Sequence, residues 1–572
     1  MDEKNNNIET IRHSLSHVLA AAVLELYPDA KLGIGPAIDN GFYYDFDFAK
    51  DLIPEDLPKI EKKMHEIIKK DTMFEKEELD IDSAIKLFSN QPYKVELITD
   101  LKSEKEDKVS TYKTGEFIDL CKGPHAANTL ELENIAFELD KIAGAYWKGD
   151  EKNKMLQRIY ALAFGTKDEL EKYLEQRKEA KKRDHRKIGK ELELFSFHEE
   201  GPGMPFWHPK GLLMFDILVD RWRKIQKEHG YREVRLPILL DVELWKRSGH
   251  FDHYKDGMFF TENEGKKLAL RPMDCPGAIL YYQEKLHSYQ EMPIRLSELG
   301  TVYRKEQSGE LHGLMRVQSI TQDDAHIFIT EEMIEEEIIK VIKIMEEIYQ
   351  PFDLERKVYL STRPDDAMGD IKIWQKAENA LQSALDKNKI KYNIKEKDGA
   401  FYGPKIDIEV KDSLGRSWQT GTIQLDFFMP ERFELEYVAK DGNKKRPVMI
   451  HRALMGSLER FIGIITEHYA GVFPIWLAPI QVIVLPISDK HVAYAKQVAE
   501  TFKNKKIRVE IDDRTESIGK KIREAEMQKI PYMLIVGDKE VESKKVSVRE
   551  YGSGDKGQKE IKYLVEQVSE QD

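Results

Sequence analysis

Residues 302–317 read VYRKEQSGELHGLMRV, a strand with Arg304 and Glu306 on one face, then a loop returning to Arg316. Side chains alternate along a strand, so positions two apart share a side. Downstream, residues 454–464 read LMGSLERFIGI and place Arg460 in an apolar helix beside Leu458, Phe461 and Ile462. A guanidinium is costly in such surroundings unless it meets an anion. Upstream, GYREVRLPIL (residues 230–239) ends a helix and enters a strand stopped by Pro237. Three separated arginines suit a triphosphate, because each can fork onto phosphate oxygens. Three structural salt bridges are the other reading of the same residues. The sequence has no GxxxxGK[ST], so a Walker-type cradle is excluded and any ATP is bound another way.

Around these stretches, from Glu191 to about Phe473, strands and helices alternate irregularly, with loops at HPKG, RPMDCPG and YGPK. That mixture predicts an α+β multidomain chain whose central part is built on an antiparallel sheet. The first ~150 residues combine an early helix (residues 11–26), aromatic extended segments such as GFYYDFDF, and a charged helix over residues 58–70. Residues 167–190 are charged, helical in pattern, and read as a connector. After Trp476 the order QVIVLPI, HVAYAKQVAETFKNK, IRVEI, IGKKIREAEMQ, YMLIVG predicts an α/β module with a parallel sheet.

At 572 residues the chain has length for three or four domains. The longest apolar run, residues 475–487, is short of the ~18–20 residues that cross a bilayer, so no membrane span is expected. The polar start MDEKNNNIET is unlike a secretory or transit signal. Two cysteines, Cys121 and Cys275, exclude a disulfide framework and point to a reducing, cytoplasmic setting. The net charge of −13 by itself argues against nucleic acid. Residues 480–572, however, carry 18 basic and 17 acidic side chains, so the acidic excess lies upstream. Residues 177–190 (RKEAKKRDHRKIGK) hold eight basic and two acidic residues, a local RNA contact or a solvated helix.

His13 and His17 stand four apart in a helical segment and share one face. Cys121 and His125 repeat the spacing in DLCKGPH, next to Asp119. Two such pairs could supply four zinc ligands, or position a water by hydrogen bonds without a metal. Spacing leaves both readings open.

The three arginine-bearing elements, in this order, resemble the signature motifs of class II aminoacyl-tRNA synthetases. HSLSH, GFYYDFD, CKGPH, GAYWKGDEKNKMLQRIY, KRDHRKIGKELELF, LHGLMRV, TQDDAHIF, GAFYGPKI, QLDF and VMIHRALMGSLERFIG look like the threonyl-tRNA synthetase family, and the resemblance covers nearly the whole chain from residue 8 to the end. The resemblance implies an editing domain (residues 1–165), a helical linker (166–190), a class II catalytic domain (191–475) and an anticodon-binding domain (476–572). It implies ATP-dependent joining of L-threonine to tRNA(Thr) through an adenylate, with hydrolytic editing of Ser-tRNA(Thr), in a homodimer paired through residues 230–239. The rival expectation is a paralogue that keeps the fold as an RNA-binding regulator without charging tRNA.

Carried over residue by residue, the family's zinc ligands fall on Cys275, His326 and His451, which lie 51 and 125 residues apart. Three protein ligands leave a position open for substrate. The resemblance assigns Gln322, Asp324, Tyr402 and Gln424 to threonine or its adenylate. It gives Arg304 to the α-phosphate of ATP, and Arg316 and Arg460, with Mg²⁺, to the γ-phosphate end; Glu306 and Ile320 complete the ATP site, with Arg304 and Arg460 as the catalytic pair. His13, His17, Cys121 and His125, accompanied by Lys94 and Asp119, map onto a metal-free editing site, which leaves one zinc per chain. Glu540 and Arg549 are the candidates for anticodon contacts. Two departures stand out. The chain begins too late for the small ubiquitin-like domain that most bacterial relatives carry. Where the family usually reads RVRGFT, this chain reads RVQSIT, so Ile320 replaces the aromatic that stacks on adenine.

Overall fold

The helix Asp2–Leu26 turns Leu15, Val18, Leu19 and Ala22 inward, where they pack with Phe42, Tyr44 and Phe46 of the strand Gly41–Asp47. Alternation explains that strand: every second residue of GFYYDFD meets the core. The computed structural model describes residues 2–104 and 106–570. It divides into two compact units, residues 1–178 and 179–572.

In the first unit, Gly41–Asp47, Met155–Phe164 and Ala136–Tyr146 form the main antiparallel sheet, with two short strands joined to Gly41–Asp47. A second sheet holds Glu75–Asp80, Lys108–Thr114 and Phe117–Leu120. The helix carrying His13 and His17 starts well before residue 11, and the charged helix spans Leu57–Ile68.

An eight-stranded sheet organises the second unit, in the order Arg232–Glu233, Ile294–Tyr303, Ser319–Ile329, Val448–Ser457, Ser417–Asp426, Lys405–Lys411, Glu355–Ser361, Tyr392–Lys395. The six inner strands pair antiparallel, and each edge strand pairs parallel with its neighbour. Register then places the site: His326 lies opposite His451, and His451 opposite Gln424. Cross-strand partners share a face, so residues far apart in sequence project side by side. The helix Leu458–His468 follows directly, capped by the Ser457 hydroxyl accepting from Arg460 N–H.

Several sequence readings need correction. The strand bearing the first arginine motif stops at Tyr303, so Arg304 and Glu306 lie in the following loop. Residues 230–239 give the two-residue edge strand Arg232–Glu233, which ends well before Pro237, and the first residue of the separate strand Leu239–Asp241. The connector is two helices, Lys167–Arg183 and His185–Glu191, with Asp184 accepting from Arg186 N–H between them. The C-terminal sheet is mixed: Val509–Ile511, Val482–Pro486 and Tyr532–Val536 run parallel, and the hairpin Lys545–Glu550/Gly554–Glu560 adds two antiparallel strands. That hairpin is polar on its outer strand and carries no apolar run for pattern reading to detect.

Candidate functional site

A cavity of about 450 Å³ opens on the eight-stranded sheet. Cys275, His326 and His451 line it, with ligand atoms all within 4.8 Å of one another. Strand register supplies the two histidines, and the start of the helix Cys275–Tyr282 supplies the thiol. His451 Nε2–H donates to Asp426 Oδ2 at 3.0 Å, which leaves Nδ1 as a bare lone pair. That Nδ1 is buried without a hydrogen-bond partner. Asp426 is itself fixed, accepting from Phe428 N–H (2.7 Å) and Met429 N–H (3.0 Å). A carboxylate holding one ring nitrogen while the other faces a Cys and a second His is the outer support of a metal ligand. The donor set of one thiol and two imidazoles suits zinc.

Electrostatics favour a cation here. Burial, then the charges of Asp324, Asp274 and Asp426, push the Cys275 thiol well above its usual range. Burial, the neighbouring His451 and two arginines keep His326 neutral. Burial, then the charge of Asp274, also raises the Asp324 carboxyl well above the carboxylate range. Asp274 is raised by burial to about 7 against the pull of Arg271, whose Nε sits 2.9 Å from it but donates to Thr301 O. A bound dication would reverse the upward shifts of the thiol and the carboxyls by stabilising thiolate and carboxylates, and would hold His326 neutral still more firmly.

Gln322, Asp324, Tyr402 and Gln424 line the same cavity, as do Ile320, Arg304 and Arg460. Tyr402 O–H donates to Gln424 Oε1, and Gln424 Nε2 donates to Thr422 Oγ1 at 3.3 Å. Among the described residues, no carboxylate pairs with Arg304 or Arg460. Arg304 Nε–H donates to Pro272 O (3.3 Å), and Arg460 Nε–H to Met315 O (3.0 Å). Burial, then Arg304 and Arg316, destabilise the Arg460 cation, so an anion is wanted between them. Arg316 differs: it is 45% exposed and pairs with Glu306 (2.8 Å) and Glu310 (2.9 Å), outside the cavity lining. Salt bridging therefore accounts for one of the three arginines. Asp323, by contrast, is structural. It accepts from the backbone N–H groups of Leu454, Met455 and Gly456 at 2.9–3.1 Å and pins the bulge between its strand and the next.

The second His/Cys group is assembled from the first helix and the DLCKGPH turn. Ligand atoms of His13, His17, Cys121 and His125 lie within 4.8 Å of one another. Cys121 Sγ stands 3.3 Å from His13 Nε2 and 3.2 Å from His125 Nε2. Behind them Lys94 and Asp119, each 2% exposed, form a buried pair at 2.5 Å, and Tyr44 O–H donates to the same carboxylate at 2.6 Å. His17 approaches Asp119 at 3.6 Å. Burial pulls His125 down to about 2, aided by the other two rings, and lifts Cys121 to about 11. The cluster is thus neutral imidazoles and a thiol around a buried ammonium–carboxylate pair. Six residues picked from sequence meet at one place.

On the short helix Asp538–Ser543 of the C-terminal module Glu540 is buried, its carboxylate accepting from Gly537 N–H (2.9 Å), Ser547 Oγ–H (2.8 Å) and Gln558 Nε2–H (2.7 Å). Arg549 lies 3.6 Å from Glu526. Sequence reasoning missed Asp426 and Asp274, although both sit inside quoted motifs, QLDF and RPMDCPG. An acid beside a ligand-bearing motif was the available signal.

Three family models match the chain. Residues 258–469 match the tRNA synthetase class II core domain (G, H, P, S and T), and residues 481–571 the anticodon binding domain. Residues 109–160 match the threonyl and alanyl tRNA synthetase second additional domain. The threonine–tRNA ligase of Caldanaerobacter subterraneus is 57% identical over 97% of this chain and 86% of its own length. The chain belongs to the threonyl-tRNA synthetase family. The family's ligase from Clostridium tetani is 56% identical over 98% of this chain and 88% of its own. A crystal structure titled as the RNA binding domain of threonyl-tRNA synthetase from Cryptosporidium parvum superposes with a TM-score of 0.65 at 42% identity, covering 68% of this chain and 98% of that one. The fold is that of a threonyl-tRNA synthetase: class II core, anticodon-binding domain and second additional domain. The core match contains every cavity residue named above. No helix among the described residues is long and apolar enough to cross a membrane.

Proposed function

We propose that this chain is an ATP-dependent threonine–tRNA ligase. Threonine carboxylate displaces pyrophosphate from the α-phosphorus of ATP, and a ribose hydroxyl at the tRNA 3′ end then takes the threonyl group, releasing AMP. The observation that carries this reading is the single cavity uniting a zinc-type donor set, four polar side chains and two arginines with no carboxylate partner. Cys275, His326 and His451 would hold one zinc, which when bound supplies a positive centre for the substrate's amino and hydroxyl groups. Gln322, Asp324, Tyr402 and Gln424 would orient the amino acid. Arg304 would take the α-phosphate, and Arg460 and Arg316, with Mg²⁺ and Glu306, the distal phosphates. The forks of Arg304 and Arg460 would stabilise the adenylyl group in transfer without a side-chain nucleophile. Ile320 would cover adenine by dispersion.

Serine lacks only a methyl relative to threonine, worth ~1–3 kcal/mol, too little for faithful selection. The cluster of His13, His17, Cys121 and His125, with Lys94 and Asp119, would therefore clear Ser-tRNA by positioning water and the terminal ribose. We assign residues 1–165 to editing, 166–190 to a linker, 191–475 to catalysis and 476–572 to anticodon binding through Glu540 and Arg549. A homodimer would pair through residues 230–239, at the open edge of the eight-stranded sheet, in the cytoplasm. Threonine-dependent exchange of pyrophosphate into ATP tests the proposal. An RNA-binding regulator without charging activity would bind tRNA and exchange nothing.

A further inference from the structure

Within the basic stretch 177–190, His185 is neither solvated nor at a surface; it is completely buried. Leu314 N–H donates to its Nε2 at 3.0 Å, so that nitrogen is unprotonated. Its Nδ1–H therefore donates to Glu467 Oε1 at 2.7 Å, and its own backbone N–H donates to the same oxygen at 3.0 Å. The other Glu467 oxygen takes Arg416, which is also held by Asp412 at 2.6 Å. His185 is thus locked in one tautomer by a fixed carboxylate and presents a lone pair to one backbone amide.

That amide belongs to the turn Gly313–Met315, which leads into Arg316. Gly313 has φ +50°, and a Cβ there would stand 2.3 Å from His185 Nε2, so the close approach needs glycine. Met315 O accepts from Arg460 at 3.0 Å, and Arg460 and Glu467 share the helix Leu458–His468. One helix therefore grips the turn twice: through Arg460 directly, and through Glu467 by way of His185.

We propose that His185 is a positioning residue for nucleotide binding: its Nε2 fixes the Leu314 amide and thereby sets the turn that spaces Arg316 from Arg460. This rests on the assignment of those arginines to ATP phosphates. The side chain touches no substrate. Its removal should act on ATP and spare threonine, whose binding groups lie on the sheet strands, at the start of Cys275–Tyr282 and, for Tyr402, in the turn before Lys405–Lys411.

The test compares parent, His185→Ala and His185→Gln by pyrophosphate exchange, titrating ATP and threonine separately. In His185→Ala the KM for ATP is expected to rise about tenfold, since a buried amide loses its acceptor. The KM for threonine and the bound zinc should stay within about twofold of the parent. Added imidazole should bring the ATP KM back in His185→Ala and leave the parent unmoved. His185→Gln, whose amide oxygen can accept from Leu314, should retain most of the parent's affinity. Amide exchange at Leu314 gives a second readout, faster in His185→Ala and slowed again by imidazole; it decides the contact even if the parent exchanged no pyrophosphate, a result that would count against the proposed activity instead. Equal shifts in both KM values, or an ATP KM unchanged in His185→Ala, would overturn the positioning role.

Discussion

Two groups of histidine and cysteine, one in each unit, offer the same ligand types at the same separations and differ in what stands behind them. Cys275, His326 and His451 are backed by the carboxylates of Asp426, Asp324 and Asp274, and His451 keeps a lone pair with no partner. His13, His17, Cys121 and His125 are backed by one carboxylate, Asp119, already neutralised by the buried ammonium of Lys94, and Cys121 is already shared between His13 and His125. A dication is welcome among carboxylates and repelled by a buried lysine. Ligand identity alone offers two metal sites; the surrounding charges favour a metal in the Cys275 group and support our proposal that the other works as a neutral hydrogen-bonding site.

The largest effect is expected from Cys275→Ser. It should remove bound zinc and depress threonine-dependent pyrophosphate exchange by more than the ~10–100-fold that outer partners cost. Metal analysis and exchange rates check this, and retained activity without zinc would erase the distinction between the groups. Next comes His13→Ala with His17→Ala. Threonine charging should stay near the parent's, while Ser-tRNA(Thr) accumulates because its hydrolysis is lost. Deacylation as fast as the parent's would remove the editing assignment.

Asp426→Asn keeps the shape but loses the acceptor that fixes the His451 tautomer. A weakening of zinc affinity of ~10–100-fold is expected in a chelator competition. The group of His13, His17, Cys121 and His125 should answer instead to acid. His125 lies far below its ordinary value of 6.5, so below about pH 6.5 the unfolded chain takes up a proton that the folded cluster refuses. Its contribution to stability is complete above that pH and declines as pH falls. Urea midpoints should drop less steeply between about pH 6.5 and pH 4 in the His13/His17 double variant, because two further imidazoles that burial keeps from protonating in the folded state are gone. The smallest effect is expected from Ile320→Phe, which should tighten ATP by ~0.5–1.5 kcal/mol if a stacked geometry forms; isothermal titration reads it directly.

Much of the architecture was legible because it is written in local patterns: the alternation of GFYYDFD, the apolar face of Leu458–His468, the four-residue spacing of His13 and His17. The resemblance supplied the zinc triad, which no spacing encodes, since His326 and His451 become neighbours only through antiparallel register. What stayed hidden depends on tertiary burial. Asp426 and Asp274 look like ordinary acids until the strands close over them. His185 sits in a run of lysines and arginines that reads as a solvated face, yet it points the other way and holds a backbone amide. The hairpin Lys545–Glu550/Gly554–Glu560 escaped because its strands carry too few apolar residues to show a period. For Arg304 and Arg316 alike the sequence leaves phosphate contact and salt bridge open; only the positions of Glu306 and Glu310 separate them.

The central claim, one metal site and one metal-free site built from the same ligand types, is met most directly by anomalous diffraction at the zinc edge from crystals of the full chain. One peak per chain is expected, among Cys275, His326 and His451, with none among His13, His17, Cys121 and His125. A peak in the second group, or none in the first, would contradict the account.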